Sequence, residues 1–398
     1  MKKINVGLVG YGNAAQFHMR AWRQVDQAEV VAVCGRSAER AAAFASEYDI
    51  PQSFASMSEM FAQTAVDAVD LVVPNHLHSP FIVETAAAGK HIICEKHLTG
   101  YFGEPNISED VMIGKTVPKR EMLEKVKAEC DAIGRAVREA GVAFCYAENW
   151  VYAPSFAKLR RLAEAAGGTI IRIQAEESHS GSPSVYAKQW RTAGGGSLVL
   201  KGSHPLGAVL QLKQWEGQRR NGRPIRPASV MCEVGNLTFI ESVKREPKHY
   251  IKMDWKDVED WGLIVLKFDD GSVAEIAAGD TTLGGVHNYL EAYLSNARIR
   301  ANINPNNACV AYAPSAEIFG DEYISEKIET KGGWSYPSPE EDWNLGYPQE
   351  MADFVSAISE GREPASGFML ARDVTLVLYA AYVSAEEGRR VELGPVLA

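Results

Sequence analysis

The sequence predicts two domains: an N-terminal α/β domain with a doubly wound parallel sheet, and a C-terminal α+β domain on an open, mainly antiparallel sheet. Two observations support this prediction. Over residues 3–147, short apolar strand patterns alternate with amphipathic helical patterns, which is typical of right-handed β–α–β units. After about residue 150, longer strands of alternating polarity follow one another, as in antiparallel sheets. We therefore divide the chain into residues 1–148 and 149–398.

The N-terminal domain is expected to alternate strictly between strands and helices. Ser37 is placed as a helix N-cap, and Ser56 with Glu59 has the spacing of a capping box. Residues 100–118 break the alternation. An ordered loop of this length is uncommon without a purpose, so we interpret it as an insertion near the mouth of the active site; a disordered surface loop is the alternative. The predicted strands are 4–9, 30–34, 69–73, 92–94 and 142–146, and the predicted helices are 14–25, 38–48, 56–63, 80–88 and 119–140.

The C-terminal domain is predicted to be richer in strands. Ile171 and Ile173 alternate with polar neighbours, which indicates a half-buried strand. Residues 269–271, Asp-Asp-Gly, join two strand patterns and predict a hairpin. The predicted strands are 169–177, 229–241, 262–269, 272–279, 287–295 and 298–303, and the predicted helices are 154–166, 203–215, 347–360 and 366–387.

Composition limits the class of protein to which the chain belongs. Its formal net charge is −10 and its basic residues are scattered, so it lacks the basic patch of a nucleic-acid-binding protein. The arginines within residues 219–223 could touch an anion but are better interpreted as a solvated loop. No apolar run approaches the ~20 residues that span a membrane, and no signal-peptide pattern opens the chain. We expect a cytoplasmic protein with neither nucleic acid nor membrane as partner.

The cysteines and histidines do not predict a metal site. The six cysteines form no C-x-x-C pair, which indicates neither a zinc knuckle nor a disulfide framework. His76 and His78 have a spacing that could suggest a metal, but no carboxylate lies nearby in sequence. We therefore expect no bound metal.

A glycine-rich turn follows the first predicted strand. Residues 10–15 read G-x-G-x-x-A at a junction between strand and helix. The first glycine allows the tight turn, the second lets the backbone approach a diphosphate, and the final alanine permits close packing of the helix. The N–H groups that open the helix then face the phosphates. The sequence therefore predicts a dinucleotide-binding Rossmann domain whose turn contains Gly10, Gly12, Asn13, Ala14 and Ala15.

The end of the second strand bears on the choice of cofactor. An NAD-selective site usually has an acid there for the ribose 2′-hydroxyl, and residues 34–37, Cys-Gly-Arg-Ser, contain none. Arg36 and Ser37 could hold the 2′-phosphate of NADP. Alternatively, Arg36 stacks on adenine and either nucleotide binds. We therefore expect NAD(P) as the cofactor.

Two further strand ends carry polar residues. In open α/β sheets, ligands lie beyond the carboxyl ends of the strands, so Pro74, Asn75 and His78 are expected near the nicotinamide ribose. Glu95 and Lys96 directly follow the strand at 92–94, so they are expected beside the bound cofactor as well. A lysine in this position can donate a proton or orient a hydroxyl. The alternative interpretation is a surface Glu–Lys pair.

These motifs, taken in order, resemble those of the Gfo/Idh/MocA oxidoreductases, which include glucose–fructose oxidoreductase and inositol dehydrogenase. The resemblance covers nearly the whole chain. It implies a Rossmann domain followed by a sheet domain whose open face often forms dimers or tetramers. It also implies that Lys96 is the catalytic lysine of the family's Glu-Lys-Pro motif, that His204 is the catalytic histidine, and that Asn149 lies near the substrate. The matching segments are residues 10–15, 74–78, 95–97, 190–191, 194–196 and 202–204.

The sequence departs from the family pattern at three positions. His97 stands where the family has a proline. Leu200 replaces an aspartate that would share a helical face with His204, four residues later, and Gly207 replaces a second common aspartate. The histidine must then be oriented by another group, or Lys96 must carry more of the proton transfer.

The resemblance implies hydride transfer between NAD(P) and a carbinol of a sugar, glycoside or cyclitol, with Lys96 or His204 taking the hydroxyl proton. Residues 98–103, 148–152 and 204–205 are similar to a subgroup that oxidises glycosides at a sugar carbon such as C3. The aromatic candidates for stacking on the substrate could equally be core residues. The expected substrate contacts are Tyr101, Asn149, Tyr152, Trp190, Arg191 and His204.

Two other functions stay open at the level of the sequence. The first is a glycosidase or lyase that recycles a tightly bound NAD and cleaves a glycosidic bond through a transient keto sugar. The second is a non-catalytic NAD(P) sensor. Lys96 and His204 argue against the sensor, whereas the missing aspartate at position 200 favours it.

Overall fold

The computed structural model describes residues 3–105, 107–304 and 307–398, and its first sheet is parallel throughout. The strand order reverses between β1 and β4, which defines the switch point where α/β sheets bind ligands. The predicted doubly wound parallel sheet is confirmed. Its strands are β1 (Ile4–Val9), β2 (Ala28–Cys34), β3 (Gln52–Phe54), β4 (Ala68–Leu71), β5 (His91–Glu95) and β6 (Phe144–Ala147), in the order β3-β2-β1-β4-β5-β6.

Helices connect these strands, and the capping pattern of the sequence explains where two of them begin. The Ser37 hydroxyl accepts the Arg40 N–H at 3.3 Å, and the Ser56 hydroxyl accepts the Glu59 N–H at 3.2 Å. Each serine thus satisfies an N–H that has no partner within its helix. The helices are α1 (Asn13–Trp22), α2 (Ala38–Glu47), α3 (Met57–Gln63), α4 (His78–Ala87), α5 (Ile113–Thr116) and α6 (Lys119–Ala140).

The segment inserted at about residues 100–118 is packed against the protein where the structure describes it. The Arg191 guanidinium donates to the carbonyls of Ser108, Glu109 and Val111 at 2.7, 3.2 and 3.1 Å. Ile113 is buried. The segment therefore has the character of a packed insertion, with Asn106 outside the described residues.

The second sheet is open and mainly antiparallel, as predicted, with one parallel pair between β7 and β10. In the described part of the chain its order is β12-β11-β7-β10-β9-β8-β15. The predicted hairpin at residues 269–271 joins β9 to β10. The strands are β7 (Ile170–Ser178), β8 (Pro227–Gly235), β9 (Trp261–Phe268), β10 (Val273–Gly279), β11 (His287–Leu294), β12 (Arg298–Asn304), β13 (Ala311–Ala313), β14 (Gly333–Ser335) and β15 (Val391–Glu392).

Helices cover one face of this sheet and join it to the first domain. Helix α14 packs against both α6 and β8, and the Tyr146 N–H donates to the Ser366 carbonyl at 2.9 Å. Arg20 of α1 donates to Asp342 at 3.0 Å. The helices are α7 (Pro154–Ala166), α8 (Trp190–Ala193), α9 (Ser197–Leu200), α10 (Ser203–Asn221), α11 (Glu241–Lys244), α12 (Glu341–Leu345), α13 (Tyr347–Glu360), α14 (Phe368–Glu387) and α15 (Gly394–Leu397).

Three expectations about individual elements are corrected. The strand predicted over 229–241 ends at Gly235, because the Asp260 carboxylate accepts the N–H groups of Leu237 and Thr238 and turns the chain away. Ile171 is exposed, since a register shift against β11 puts Ile170 in the core instead. The sequence was expected to contain no apolar run of membrane-spanning length, but helix α14 is long and apolar enough by composition. However, 83% of its most apolar 18-residue stretch is buried inside the protein.

Candidate active site

The glycine turn lies at the carboxyl end of β1, beside the switch point. Gly10 has φ +113°, and a Cβ there would lie 2.3 Å from the Val72 carbonyl oxygen, so a side chain would collide. A Cβ on Gly12 would meet nothing within 4 Å among the described residues. The backbone that opens α1 at Asn13 and Ala14 therefore borders open space, while Ala15 is buried beneath it. This cradle fits a diphosphate.

Two guanidinium groups flank the end of β2, where the adenosine ribose is expected. Arg36 is exposed. The Arg40 guanidinium lies 4.8 Å from the centroid of the Tyr11 ring, and the Tyr11 hydroxyl accepts the Ser37 N–H at 3.1 Å. The predicted residues Arg36 and Ser37 thus come together with Tyr11 and Arg40, which the sequence analysis did not single out.

The loop after β4, which contains Pro74 and Asn75, contacts the loop after β5. Asn75 Nδ2 lies 3.1 Å from His97 Nδ1 and donates to it. His78 is fully buried, and its Nδ1 lies 2.7 Å from the His97 carbonyl oxygen. Burial lowers the pKa values of both His78 and His97. His97, at the family's proline position, therefore serves as a neutral link between the two loops.

Lys96 is oriented by a backbone carbonyl. Its Nζ donates to the carbonyl oxygen of Leu200 at 2.6 Å. Leu200 stands where the family pattern has an aspartate, so a main-chain oxygen from the end of α9 receives the lysine in this chain. The ammonium group keeps two further N–H donors.

His204 has a carboxylate partner from a different element than the family pattern suggests. Its Nδ1 lies 2.7 Å from Oε1 of Glu148, which is buried directly after β6. Burial opposes the charged form of His204, but the carboxylates of Glu148 and Glu177 together raise the pKa of the histidine above its usual value. The Trp150 ring stacks on the imidazole with centroids 6.1 Å apart.

Gly207 provides the space that Glu148 occupies. A Cβ at position 207 would lie 2.8 Å from Glu148 Cγ and 3.1 Å from its Oε2. Because Gly207 is three residues after His204 in α10, the glutamate crosses the helix at this point to reach the imidazole. Two other groups thus stand in for the two family aspartates that this chain lacks. The Leu200 carbonyl binds Lys96, and Glu148, in the space left by Gly207, binds His204.

A second buried carboxylate–histidine network supports Glu95. His18 on α1 is fully buried, with Nδ1 at 2.9 Å from Asp70 and Nε2 at 3.1 Å from Glu95. Burial lowers the pKa of His18, yet the two carboxylates raise it well above its usual value. Burial opposes ionisation of Glu95, but hydrogen bonding and charge from His18 lower its pKa to about 2. The other oxygen of Glu95 accepts the Lys96 N–H at 2.9 Å.

The three predicted aromatic contacts lie in the core. Trp190 is 1% exposed and its ring centroid lies 4.9 Å from that of Tyr382. The Tyr152 hydroxyl donates to Asp353 at 2.9 Å. Tyr101 is buried as well.

The two predicted polar contacts have internal partners. Asn149 Nδ2 donates to the Leu345 carbonyl at 2.8 Å, and Arg191 binds the inserted segment as described above. Lys96 and His204 lie near enough for their charges to interact, whereas the side chains of Asn149 and Arg191 bind other parts of the protein.

Three charged residues near the site escaped the sequence analysis: His18, Glu148 and Glu177. Glu148 directly follows β6 at the same sheet edge as Lys96, which is a signal the sequence contains. Glu177 interrupts an apolar row on β7 that includes Ile173 and Ala175.

A parallel sheet with a glycine turn at its switch point, facing a lysine and a carboxylate-paired histidine, defines a nicotinamide-dependent oxidoreductase. Comparisons with known proteins agree. Residues 4–104 match the family described as "Oxidoreductase family, NAD-binding Rossmann fold". Residues 4–104 therefore match the NAD-binding domain of the Gfo/Idh/MocA oxidoreductases, and over these residues the resemblance seen in the sequence is confirmed.

Individual relatives are similar over different lengths. Levoglucosan dehydrogenase of Pseudarthrobacter phenanthrenivorans is 23% identical over the full length of both chains. Inositol 2-dehydrogenase of Corynebacterium glutamicum is 37% identical over 25% of this chain and 29% of that enzyme, so the match spans less than a third of that relative. The crystal structure of GenD2 from gentamicin A biosynthesis in complex with NAD superposes with a TM-score of 0.78, at 22% identity over 98% of this chain and 97% of that one.

Proposed function

We propose that the chain is a dehydrogenase that transfers a hydride between NAD(P) and a CH–OH carbon of a sugar, glycoside or cyclitol. The observation that carries the proposal is a pair of oriented groups: Lys96, at the carboxyl edge of the parallel sheet and bound to the Leu200 carbonyl, and His204, at the start of α10 and bound to Glu148. Both can exchange a proton with, or donate a hydrogen bond to, an alcohol oxygen.

The residues of the glycine turn would hold the cofactor diphosphate at the N-terminus of α1, and Asn75 lies at the edge expected for the nicotinamide ribose. When bound, the cofactor supplies the hydride chemistry. The chain supplies position and proton transfer. A carboxylate accepts hydrogen bonds and does not donate them, so His204 Nδ1 carries the proton toward Glu148. In neutral His204, Nε2 is then free to take the hydroxyl proton, while the Lys96 ammonium orients the oxygen.

The substrate class is inferred from relatives and from motifs. A relative named levoglucosan dehydrogenase matches over its whole length, and another is named inositol 2-dehydrogenase. Residues 98–103, 148–152 and 204–205 are similar to a subgroup that oxidises glycosides. We therefore propose a glycoside oxidised at a ring carbon such as C3.

Incubation with methyl hexopyranosides, free hexoses and cyclitols tests this function. Each is mixed with NAD⁺ or NADP⁺ and followed by absorbance at 340 nm and by product mass. Net reduction of the nucleotide with loss of two hydrogens from the sugar supports a dehydrogenase. Cleavage of a glycosidic bond without net reduction of the nucleotide would instead indicate a lyase or glycosidase. No reaction with any of these compounds would indicate a non-catalytic sensor.

We also propose that a second copy of the chain covers the open face of the second sheet. Met231 and Val265 are cross-strand neighbours there, 44% and 42% exposed, and Ile171 is 52% exposed. Sedimentation of the wild type and of the Met231→Arg variant tests the assembly. The substitution should yield monomers, and an unchanged mass would refute this interface.

We also propose that the protein resides in the reducing cytoplasm, because its buried thiols, such as those of Cys94 and Cys145, are free.

A further inference from the structure

Glu177 is a half-buried residue whose carboxyl group the mechanism above does not use. Side chains of alternate strand residues face the same side of a sheet, so Glu177 shares the helix-covered face of β7 with Ile173 and Ala175. Its register partners, Ala278 on β10 and Asn288 on β11, are buried. The side chain of Glu177 therefore stands at the end of an otherwise apolar row on this face of β7.

The Glu177 carboxyl has unused hydrogen-bonding capacity. Its Oε2 is buried and has no hydrogen-bond partner within residues 3–105, 107–304 and 307–398. A buried acceptor without a partner costs free energy, and such groups are rare unless a ligand or water completes them. The Glu177 Oε2 atom is therefore open to a hydrogen bond from a ligand or a water molecule.

The charged neighbours of Glu177 are those of the candidate active site. His204, Lys96 and Lys201 act on it as positive groups, and Glu148 acts as a like charge. Burial raises the pKa of Glu177 despite these positive neighbours. Lys201 is engaged by Asp280, with Nζ 2.6 Å from Oδ1, and His204 by Glu148. The missing partner therefore belongs in the space shared with Lys96 and His204.

We propose that Glu177 binds a second substrate hydroxyl, on a carbon adjacent to the one oxidised, and so makes the enzyme select vicinal diols. This rests on the proposed function, because the first hydroxyl is the one that meets Lys96 and His204. A hydroxyl donates to a carboxylate oxygen and accepts from a protonated carboxyl, so either form of Glu177 is satisfied by it. A site built for a hydroxyl rejects the deoxy analogue strongly, since its own polar group is then left unpaired.

The test compares a methyl hexopyranoside turned over by the wild type with its monodeoxy analogues at the two carbons flanking the oxidised one. The variants are Glu177→Leu, which removes the acceptor, and Glu177→Gln, which keeps a polar amide. Glu176→Gln is the matched control, because Glu176 is the same residue type on the same strand, faces the open side, and lies 3.4 Å from His287. The kcat/KM values, NADH affinity and Tm are measured for each protein.

We expect the wild type and Glu176→Gln to prefer the full hydroxyl set over one deoxy analogue by about 100-fold or more. Glu177→Leu should lower that preference to within about tenfold, and Glu177→Gln should restore part of it. NADH affinity and Tm should not fall, since an unpaired buried carboxyl contributes nothing favourable to folding.

Two results would overturn the assignment of Glu177. One is a preference that survives in Glu177→Leu. The other is an equal loss of kcat/KM for both substrates together with a lower Tm, which would mark a structural residue. Turnover of no sugar or cyclitol by the wild type would instead refute the proposed function, and the role of Glu177 with it.

Discussion

Glu148 and His204 are joined by a 2.7 Å contact between Oε1 and Nδ1, although 56 residues separate them in sequence. The contact forms because Glu148 follows β6 at the carboxyl edge of the parallel sheet, while His204 opens α10 in the second domain. His204, the proposed proton acceptor, is therefore oriented by a residue that follows the parallel sheet and not by one of its own helix.

The first prediction concerns the pH dependence of Glu148→Gln. In wild type, Glu148 and Glu177 raise the pKa of His204 against the effect of burial; removing the charge and hydrogen bond of Glu148 weakens that support, so the pKa falls. Oxidation requires neutral His204, so the rise of kcat/KM with pH should move down by about one unit. The plateau should drop by about 10²-fold because the proton-transfer group is less well oriented.

The control for this prediction is Glu29→Gln, on an exposed position of β2, which should leave the profile unchanged. A Glu148→Gln profile that overlays the wild type would show that His204 is not the titrating base.

The second prediction uses Gly207. Gly207→Ala places a methyl group 2.8 Å from Glu148 Cγ, which should lower stability by about 1–3 kcal/mol through overpacking and reduce kcat. In a Glu148→Ala background the clash is absent, and the same change should stabilise α10 by up to about 1 kcal/mol, since alanine favours helix.

The double-mutant cycle is measured by urea unfolding. A change of sign between the two backgrounds supports the account. The same destabilisation in both would mean that Glu148 does not occupy the space above Gly207.

The third prediction concerns the buried His18. Its folded pKa is raised well above 6.5 by Asp70 and Glu95 against the effect of burial. The resulting stabilisation is fully present below the unfolded pKa of about 6.5. It declines as pH rises toward the folded pKa, because the native state then holds a proton that the unfolded state has lost.

The advantage of wild type over His18→Gln in free energy of unfolding should thus shrink as the pH rises above 6.5, by at most about 1.4 kcal/mol per pH unit. His249→Gln, at an exposed histidine, serves as control. An advantage that grows with pH would contradict a charged His18.

The fourth prediction concerns cofactor choice. Arg36→Ala and Arg40→Ala should each weaken NADPH binding by about tenfold and change NADH binding less than twofold, because a guanidinium can pair with the 2′-phosphate. Fluorescence titration measures both affinities, with Arg389→Ala as a remote control. Equal effects on the two nucleotides would indicate adenine stacking by these arginines instead.

The sequence predicted the features that depend on neighbouring residues. The turn at Gly10 and Gly12, the placement of Lys96 after β5, and the hairpin before β10 each follow from a local pattern of strand, turn and helix. These local structures depend little on residues far away in the sequence, so each could be predicted from its own segment.

The features that escaped prediction depend on contacts between distant segments. Glu148 pairs with His204 only because the two domains meet. His18, on α1, contacts Asp70 of β4 and Glu95 at the end of β5, which are distant from it in sequence. Residue type was also a weak guide to exposure: Trp190 and Tyr152 have the character of sugar-stacking residues, yet packing against neighbouring rings buries them.

The central claim is that the glycine turn binds a pyridine nucleotide so that the substrate carbinol meets Lys96 and His204. Titration calorimetry with NADH and NADPH, combined with turnover of an accepted sugar by wild type and Lys96→Met, tests it most directly. We predict unchanged nucleotide affinity and at least a 10²-fold loss of kcat in Lys96→Met. Absence of nucleotide binding by the wild type, or full turnover by Lys96→Met, would contradict the account.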